Sequence, residues 1–143
     1  LLRFPDKKRF HMTGLDACIR QLGEIARPAL TIVDGIIALE GDGPWRYGTR
    51  KDAHLLVAGT DMVEVDNVCL RIMCFPPEHA PHIPYRQQVE TVGLTIDEAK
   101  TPFAYGYKGH FRYKNLYEHI TDSCSGCNWA LYGTLKLVKR SRW

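Results

Sequence analysis

The chain has 143 residues, of which 45% are hydrophobic and 24% charged, and its formal net charge at pH 7 is +3. This length suits one domain with a substantial core, and the near-average composition excludes disordered, collagen-like and low-complexity classes. No apolar run reaches the roughly 20 residues of a transmembrane helix, so we expect no membrane span. The small charge excess does not indicate nucleic-acid binding.

The cysteines and the first residues bear on the cellular compartment. The five cysteines are an odd number and do not form a spaced disulfide framework, so we expect a reducing compartment. The chain begins Leu1-Leu2-Arg3, with neither an initiator methionine nor the apolar core of a signal peptide. We interpret it as a fragment, or as a chain whose ordered part begins inside a longer protein, and predict a cytoplasmic location.

The first elements predict α/β layering. Apolar residues at helical spacing predict an amphipathic helix from Leu15 to Ala26, with Thr13 as its N-cap and Pro28 after its end. Residues 29–39 are apolar and rich in β-branched side chains, which predicts a strand buried on both faces. A helix closed by proline and followed by such a strand favours a mostly parallel sheet flanked by helices.

The next elements repeat this order. A turn-rich loop follows Glu40, and residues 54–59 predict a second short buried strand. Thr60 and Asp61 begin a second helix, which ends near Met73 before a pair of prolines. Residues 95–99 predict a brief helical turn.

The character of the chain changes at Thr101. Residues 103–117 are aromatic and basic, and their near alternation favours a strand or hairpin packed on the core over a surface that stacks nucleotide bases. We therefore divide the chain into an α/β core, residues 1–100, and an irregular C-terminal extension, residues 101–143, packed on that core. The extension carries the motif Cys124-Ser125-Gly126-Cys127.

One group of candidate site residues follows the first strand. Sites in open α/β sheets gather at the carboxyl ends of strands, and glycines let a ligand approach the backbone. Asp34, Glu40, Gly41 and Gly43 are therefore candidates for an acidic glycine-loop site. The structural alternative is that Asp34 accepts a hydrogen bond from a neighbouring backbone N–H and that Glu40 is a solvated loop acid.

Two further acids lie on the second helix. Asp66 shares a helix face with Met62, Cys69 and Leu70, and a carboxylate on an apolar stripe is costly unless it is paired or binds a ligand. Asp61 is either a ligand-binding residue or, more simply, a helix cap. If Asp34, Glu40 and Asp66 converge, they would form an oxygen-rich divalent-cation site or an acid/base pair.

Cys124 and Cys127 are candidate metal ligands. Two cysteines at this spacing can share a zinc or iron ion or form a redox disulfide, but one such pair is half a site. Inert thiols are the alternative. His79 and His82 flank Pro81, which breaks the helical geometry of an i,i+3 ligand pair.

The motifs also resemble a known family. The run TGLDACIRQLGEIARPALTIVDGIIALEGDGP, followed by LLVAGTDMVEVDNVCLRIM, resembles the C-terminal half of the domain of unknown function 362 family, over roughly residues 9–90. Its members are bacterial and archaeal proteins, often iron–sulfur-associated, and many carry a ferredoxin-like module. The resemblance implies that Asp34, Glu40, Gly41, Gly43 and Pro44 form the signature loop, with Asp61 and Asp66 as the other family acids. The family's N-terminal half and its ferredoxin-type cysteine run are absent from this sequence.

We therefore expect a ligand- or metal-binding domain of a redox-associated, iron–sulfur-type protein. The cofactor would be an iron–sulfur cluster or a divalent metal ion. The expected partners are the missing N-terminal part of the parent and a ferredoxin-like module. If the site is catalytic, a carboxylate-held cation would polarise an oxygen ligand, with Glu40 as the acid or base and Asp66 beside it. The alternative is a non-catalytic assembly module of a larger protein.

Overall fold

The structure, a computed structural model, describes residues 9–10, 13–41, 48–105 and 134. Its elements follow one another as helix, four short strands, helix, a single 3₁₀ turn and a final helical turn. In chain order they are α1 (Leu15–Ala26), β1 (Thr31–Gly35), β2 (Ala38–Gly41), β3 (Gly48–Lys51), β4 (Leu55–Gly59), α2 (Met62–Ile72), the 3₁₀ turn (Pro77–His79) and α3 (Ile96–Ala99).

The four strands form one long, bent hairpin. β1 pairs antiparallel with β4, and β2 pairs antiparallel with β3. Between the two pairings, residues 36–37 lie opposite residues 52–54, so one arm carries an extra residue. His54 has a φ of 54° there, and its N–H donates to the Ile36 carbonyl at 3.2 Å. An extra residue of this kind bends a hairpin and divides its ladder.

The mixture of helices and strands confirms an α/β protein, but the prediction of a mostly parallel sheet is wrong. Both described sheets are antiparallel. Parallel neighbours need a crossover of a dozen or more residues, whereas only residues 42–47 separate β2 from β3 and only residues 52–54 separate β3 from β4. The connections between strands are therefore too short for helical crossovers.

The single buried strand predicted over residues 29–39 is also wrong. Asp34 accepts a hydrogen bond at 2.9 Å from the Ile36 N–H, a local turn that ends β1 before β2 begins. Exposure alternates along β1, and Ile32 of β1 and Leu56 of β4 are each 64% exposed. One face of the β1/β4 pair is therefore open to solvent.

The first helix has the predicted bounds but not the predicted cap. Gly14, with a φ of 105°, occupies the N-cap position without a side-chain hydrogen bond. The Thr13 hydroxyl donates instead to the Arg9 carbonyl at 3.1 Å. The helix ends at Ala26, and its C-cap residue, Arg27, has a left-handed backbone and precedes Pro28. None of its residues is buried, so α1 lies on the surface of the structure.

The core lies beneath α2. This helix buries Val65, Val68, Leu70 and Ile72. Val68 and Ile72 pack with Ala99 of α3 and with four partly buried side chains: Leu55, Val57, Val89 and Ile96. Thr95 and Glu98 begin α3 with a reciprocal capping box. The core thus joins β4, α2 and α3.

An extended segment, residues 101–105, joins the end of α2 to the hairpin. The N–H groups of Thr101 and Phe103 donate to the Ile72 and Met73 carbonyls at 2.9 and 3.1 Å, and the Gly41 N–H donates to the Ala104 carbonyl at 3.0 Å. Beyond residue 105, the predicted extension lies outside the described residues apart from Thr134, so the division at residue 100 stays a prediction. No helix in the described ranges has the length and hydropathy of a membrane span.

Candidate functional site

A cavity of about 440 Å³ surrounds Asp66, and we call it the Asp66 cavity. Three elements enclose it: α1, the residues that begin α2, and residues 82–86. Its charged lining consists of three arginines, three acids and a histidine: Arg20, Arg27, Arg86, Glu24, Asp61, Asp66 and His82. A cavity of several hundred cubic ångströms with convergent polar groups is the usual form of a small-molecule site.

Asp66 is the half-buried carboxylate in this lining. Within the ranges that the structure describes, it makes no hydrogen bond or ion pair. Burial raises the pKa of Asp66 above its usual value of 3.8, and the electrostatic influence of His82 partly offsets that rise. The carboxylate is therefore available to a ligand.

His82 closes one side of the cavity by contact with α1. Its Nδ1 atom lies 2.8 Å from Oδ1 of Asp16, and the Arg20 guanidinium donates to the Pro81 carbonyl at 2.6 Å. α1 buries no side chain, so these polar contacts do much to fix its position over the cavity. His79 lies elsewhere, with its ring 4.1 Å from that of Tyr105, and does not form a ligand pair with His82.

Asn67 anchors residues 84–86, part of the cavity lining, to α2, and the sequence interpretation missed it. Its side chain is 2% exposed. Its Nδ2 donates to the Val63 and Pro84 carbonyls at 2.7 and 2.9 Å, and its Oδ1 accepts the Arg86 N–H at 2.9 Å. A signal was present, because an amide four residues after Val63 and three before Leu70 lies on an apolar face. A buried amide needs partners from outside its helix, and Pro84 and Arg86 supply them.

Asp61 is the N-cap of α2. Its Oδ1 accepts hydrogen bonds from the Val63 and Glu64 N–H groups at 2.7 and 3.2 Å, as the simpler interpretation predicts. The residue also lines the Asp66 cavity. A role in ligand binding therefore stays a prediction beside the capping role.

We expect replacement of Asp61 by alanine to lower the free energy of unfolding by about 1 kcal/mol, because two backbone donors lose their acceptor. Asparagine keeps the accepting oxygen and should restore most of that stability. Urea unfolding of the two variants and the wild type measures both differences. Equal stability in all three would contradict the capping role.

The acidic glycine-loop residues lie on the hairpin. The exposed Asp34 accepts the Ile36 N–H, as its structural alternative predicts. Glu40 is not the solvated loop acid of its alternative: Oε2 accepts the Ala104 N–H at 2.9 Å and lies 3.5 Å from Nζ of Lys51. Gly41 has a φ of 75° and also contacts Ala104. Gly43 and Pro44 lie outside the described residues.

The sequence leaves open whether Asp34, Glu40 and Asp66 converge, and the described residues show no metal site formed by them. Across residues 9–10, 13–41, 48–105 and 134, no group of three or more His, Cys, Asp or Glu side chains is arranged to hold a metal ion. Sites at the carboxyl ends of strands require parallel neighbours, and this hairpin has none among its described strands. These residues alone do not fit a protein-held divalent cation.

The described cysteines are free thiols: Cys18, Cys69 and Cys74. Burial, aided by the negative charge of Asp66, raises the pKa of Cys69 to about 11. A thiol of this kind is a poor nucleophile near neutral pH. Cys124 and Cys127 lie outside the described part of the chain, so their role as metal ligands stays a prediction.

Comparison with known protein families gives a match to part of the chain. The family described as Domain of unknown function (DUF362) matches residues 2–71, just under half of the chain. This stretch includes the hairpin, Asp61 and Asp66, and the match confirms the resemblance drawn from the motifs. The match begins before the predicted range of 9–90 and ends at the last turn of α2. Neither the curated proteins nor the solved structures contain a match to the chain.

The raised pKa of Asp66 predicts a pH-dependent effect on stability. The folded state binds this proton more tightly than the unfolded state, so stability falls as pH rises from about 3.8 through the raised pKa. The Asp66→Asn variant cannot ionise there. Its free energy of unfolding, relative to wild type, should therefore increase over that window and be constant above it.

Urea unfolding of both proteins at a series of pH values measures this difference, and the subtraction removes the contributions of other titrating groups. A difference that decreases with pH would contradict the desolvation of Asp66.

Proposed function

We propose that this chain is a ligand-binding domain whose site is the Asp66 cavity. The observation that carries the proposal is a half-buried carboxylate, without a hydrogen bond or ion pair in the described ranges, inside a cavity of ligand size. Burial of an unpaired carboxylate is costly, and a bound cationic or hydrogen-bond-donating group would offset that cost. Asp66 is also one of the acids that the resemblance to the family selects.

The lining suggests the class of ligand. The guanidinium of Arg86 makes no hydrogen bond or ion pair with the described residues, whereas Arg20 already donates to the Pro81 carbonyl. Arg86 therefore supplies a free cation on the same cavity as the free carboxylate of Asp66. A small zwitterion would meet both, with its ammonium group at Asp66 and its carboxylate or phosphate at Arg86.

Thermal unfolding in the presence of defined probes tests the proposal. The probes are glycine, β-alanine, serine and phosphoethanolamine, with Mg²⁺ and Mn²⁺ chlorides to test the cation hypothesis. A ligand at 100 times its Kd stabilises the folded state by about 2.7 kcal/mol, enough to raise Tm by several degrees.

Two isosteric variants localise any effect. Asp66→Asn should abolish the stabilisation, whereas Asp34→Asn, at an exposed acid on the hairpin, should retain it. Stabilisation that persists in Asp66→Asn would count against this site. So would the failure of every probe to stabilise the wild type.

The redox association is the second part of the proposal. It is supported by the Cys124/Cys127 spacing and by the resemblance to a family whose members are often iron–sulfur-associated, and it makes no use of the Asp66 cavity. Iron and zinc analysis with an absorption spectrum, on protein purified without oxygen, tests it. Stoichiometric iron with visible absorbance, lost in Cys124→Ser/Cys127→Ser, would support an iron–sulfur cluster. Absence of iron from the wild type would reject it.

A non-catalytic assembly module is the second candidate, and the exposed face of the hairpin favours it. Ile32 and Leu56 are each 64% exposed, and Ile36, Ile37 and Leu39 lie between 44% and 55%. Apolar surface of this extent is common at protein interfaces. Sedimentation of wild type and Ile32→Lys/Leu56→Lys discriminates the candidates. Association lost in the double variant, with no probe binding, would favour the assembly module.

A further inference from the structure

A second cavity runs along β4, and we call it the β4 groove. It has a volume of about 470 Å³, and all five residues of β4, Leu55–Gly59, line it. Successive strand residues point to opposite faces of a sheet, so a cavity that touches all five must lie along the edge of the strand. No β1 residue lines the groove, which places it at the edge opposite the β1 pairing.

Among the described residues, nothing pairs with this edge of β4. β4 pairs only with β1 among the described strands, and none of its backbone groups makes a further backbone hydrogen bond within those ranges. An unpaired edge presents a row of N–H and C=O groups, which is a template for another extended chain. Native proteins usually blunt such an edge with charge, proline or a covering element.

The walls of the groove suit an extended chain with apolar side chains. Its floor is formed by the buried α2 residues Val65, Val68 and Ile72. Residues 89–94 form the far wall, where Val92 is fully exposed at 103% and Leu94 is 57% exposed. An added strand would alternate its side chains between this apolar floor and solvent.

The charged residues that line the groove are all acidic. Asp61, Glu64 and Glu90 line it, and the lining contains no lysine, arginine or histidine. Glu64 and Glu90 are exposed, so their carboxylates face solvent at the groove. Charge complementarity therefore favours basic residues in the solvent-facing positions of the incoming segment.

We propose that the outer edge of β4 binds an extended segment of a partner polypeptide, in which apolar and basic residues alternate. The segment adds as a third strand, with its main chain paired to β4, its apolar side chains on α2 and its basic side chains near Glu64 and Glu90. At about 3.3 Å per residue, the five residues of β4 accommodate a partner stretch of about five to seven residues. Asp61 is the one residue shared by the linings of this groove and the Asp66 cavity, so failure of this proposal would leave the proposed ligand site untouched.

Amide hydrogen exchange with a synthetic peptide tests this proposal on the full chain. The probe is an acetylated heptapeptide that alternates valine and lysine. One control has glutamate in place of each lysine, and a second is N-methylated at every residue, so that it has no N–H group to donate to the edge. The alternating lysine peptide should slow exchange at amides within 55–59 by about tenfold or more when bound. Neither control should do so.

Charge variants test the contribution of the acidic groove residues to peptide binding. Glu90→Lys should weaken peptide binding by about fivefold, the scale of an exposed charge interaction, and should reduce its dependence on salt. Glu78→Lys, at an exposed acid outside the groove, is the matched control and should bind like wild type. Unchanged exchange at 55–59 on saturation with the peptide, or equal binding by both variants, would overturn the proposal.

Discussion

Replacement of Asn67 by alanine is expected to lower the free energy of unfolding by about 3 kcal/mol. The side chain is 2% exposed, and its three hydrogen bonds join α2 to the backbone of Pro84 and Arg86. Alanine leaves the partly buried Arg86 N–H and two carbonyl acceptors without these partners, and an unsatisfied group costs about 1–3 kcal/mol when it is buried. Part of this loss is recovered where water reaches the exposed Arg86.

Urea unfolding measures the effect, and Gln88→Ala is the matched control. Gln88 is an exposed amide on the same segment, so its truncation should change stability by less than about 0.5 kcal/mol. Equal effects of the two substitutions would show that the Asn67 contacts do not hold the cavity wall. Because Pro84 and Arg86 line the Asp66 cavity, Asn67→Ala should also weaken any ligand bound there.

Replacement of Ile72 by alanine is expected to lower the free energy of unfolding by about 3 kcal/mol. Ile72 is 7% exposed and packs at the centre of the core, with Val68 and Ala99. Truncation removes buried methyl and methylene groups and leaves a cavity that the surroundings fill only in part. The core of the described residues is small, so few neighbours can move to compensate.

Ile25→Ala provides the control for this prediction. Ile25 has the same side chain but is 80% exposed on α1, so its truncation should change stability by less than about 0.5 kcal/mol. Urea unfolding of both variants compares them directly. A loss at Ile72 no larger than that at Ile25 would contradict the assignment of the core to α2.

The local elements could be predicted from the sequence, because their signals are local. Apolar spacing defines α1, the cap at Asp61 marks the start of α2, and Thr95 with Glu98 marks α3. The strand at 55–59 follows from its apolar composition. Each of these patterns depends on neighbours within a few residues, where spacing and capping chemistry are decisive.

The direction of the strands could not be predicted in the same way. Residues 29–39 have the composition of a buried parallel strand, yet the turn at Asp34 and the extra residue near His54 place them in a bent hairpin. Pairing direction depends on contacts between residues 7 to 28 positions apart, which composition does not record. The hypothesis of one site formed by Asp34, Glu40 and Asp66 depended on the same parallel arrangement.

One residue of the candidate site could be predicted from the sequence, but the residues around it could not. Asp66 stands out because a carboxylate on an apolar helix face requires an explanation. The wall formed by residues 82–86 is anchored by Asn67, through contacts with residues 17 and 19 positions later in the sequence. Those residues belong to a segment without periodicity. Such contacts follow from the fold rather than from local sequence.

The location of a bound ligand shows whether the Asp66 cavity is the binding site. We would follow the backbone amide signals of the full chain by NMR during a titration with whichever probe most raises the thermal stability. We expect the perturbed amides to cluster around the Asp66 cavity, at Arg20, residues 61–66 and residues 82–86. Perturbations confined to Asp34, Glu40 and Gly41 would contradict it and return the site to the hairpin.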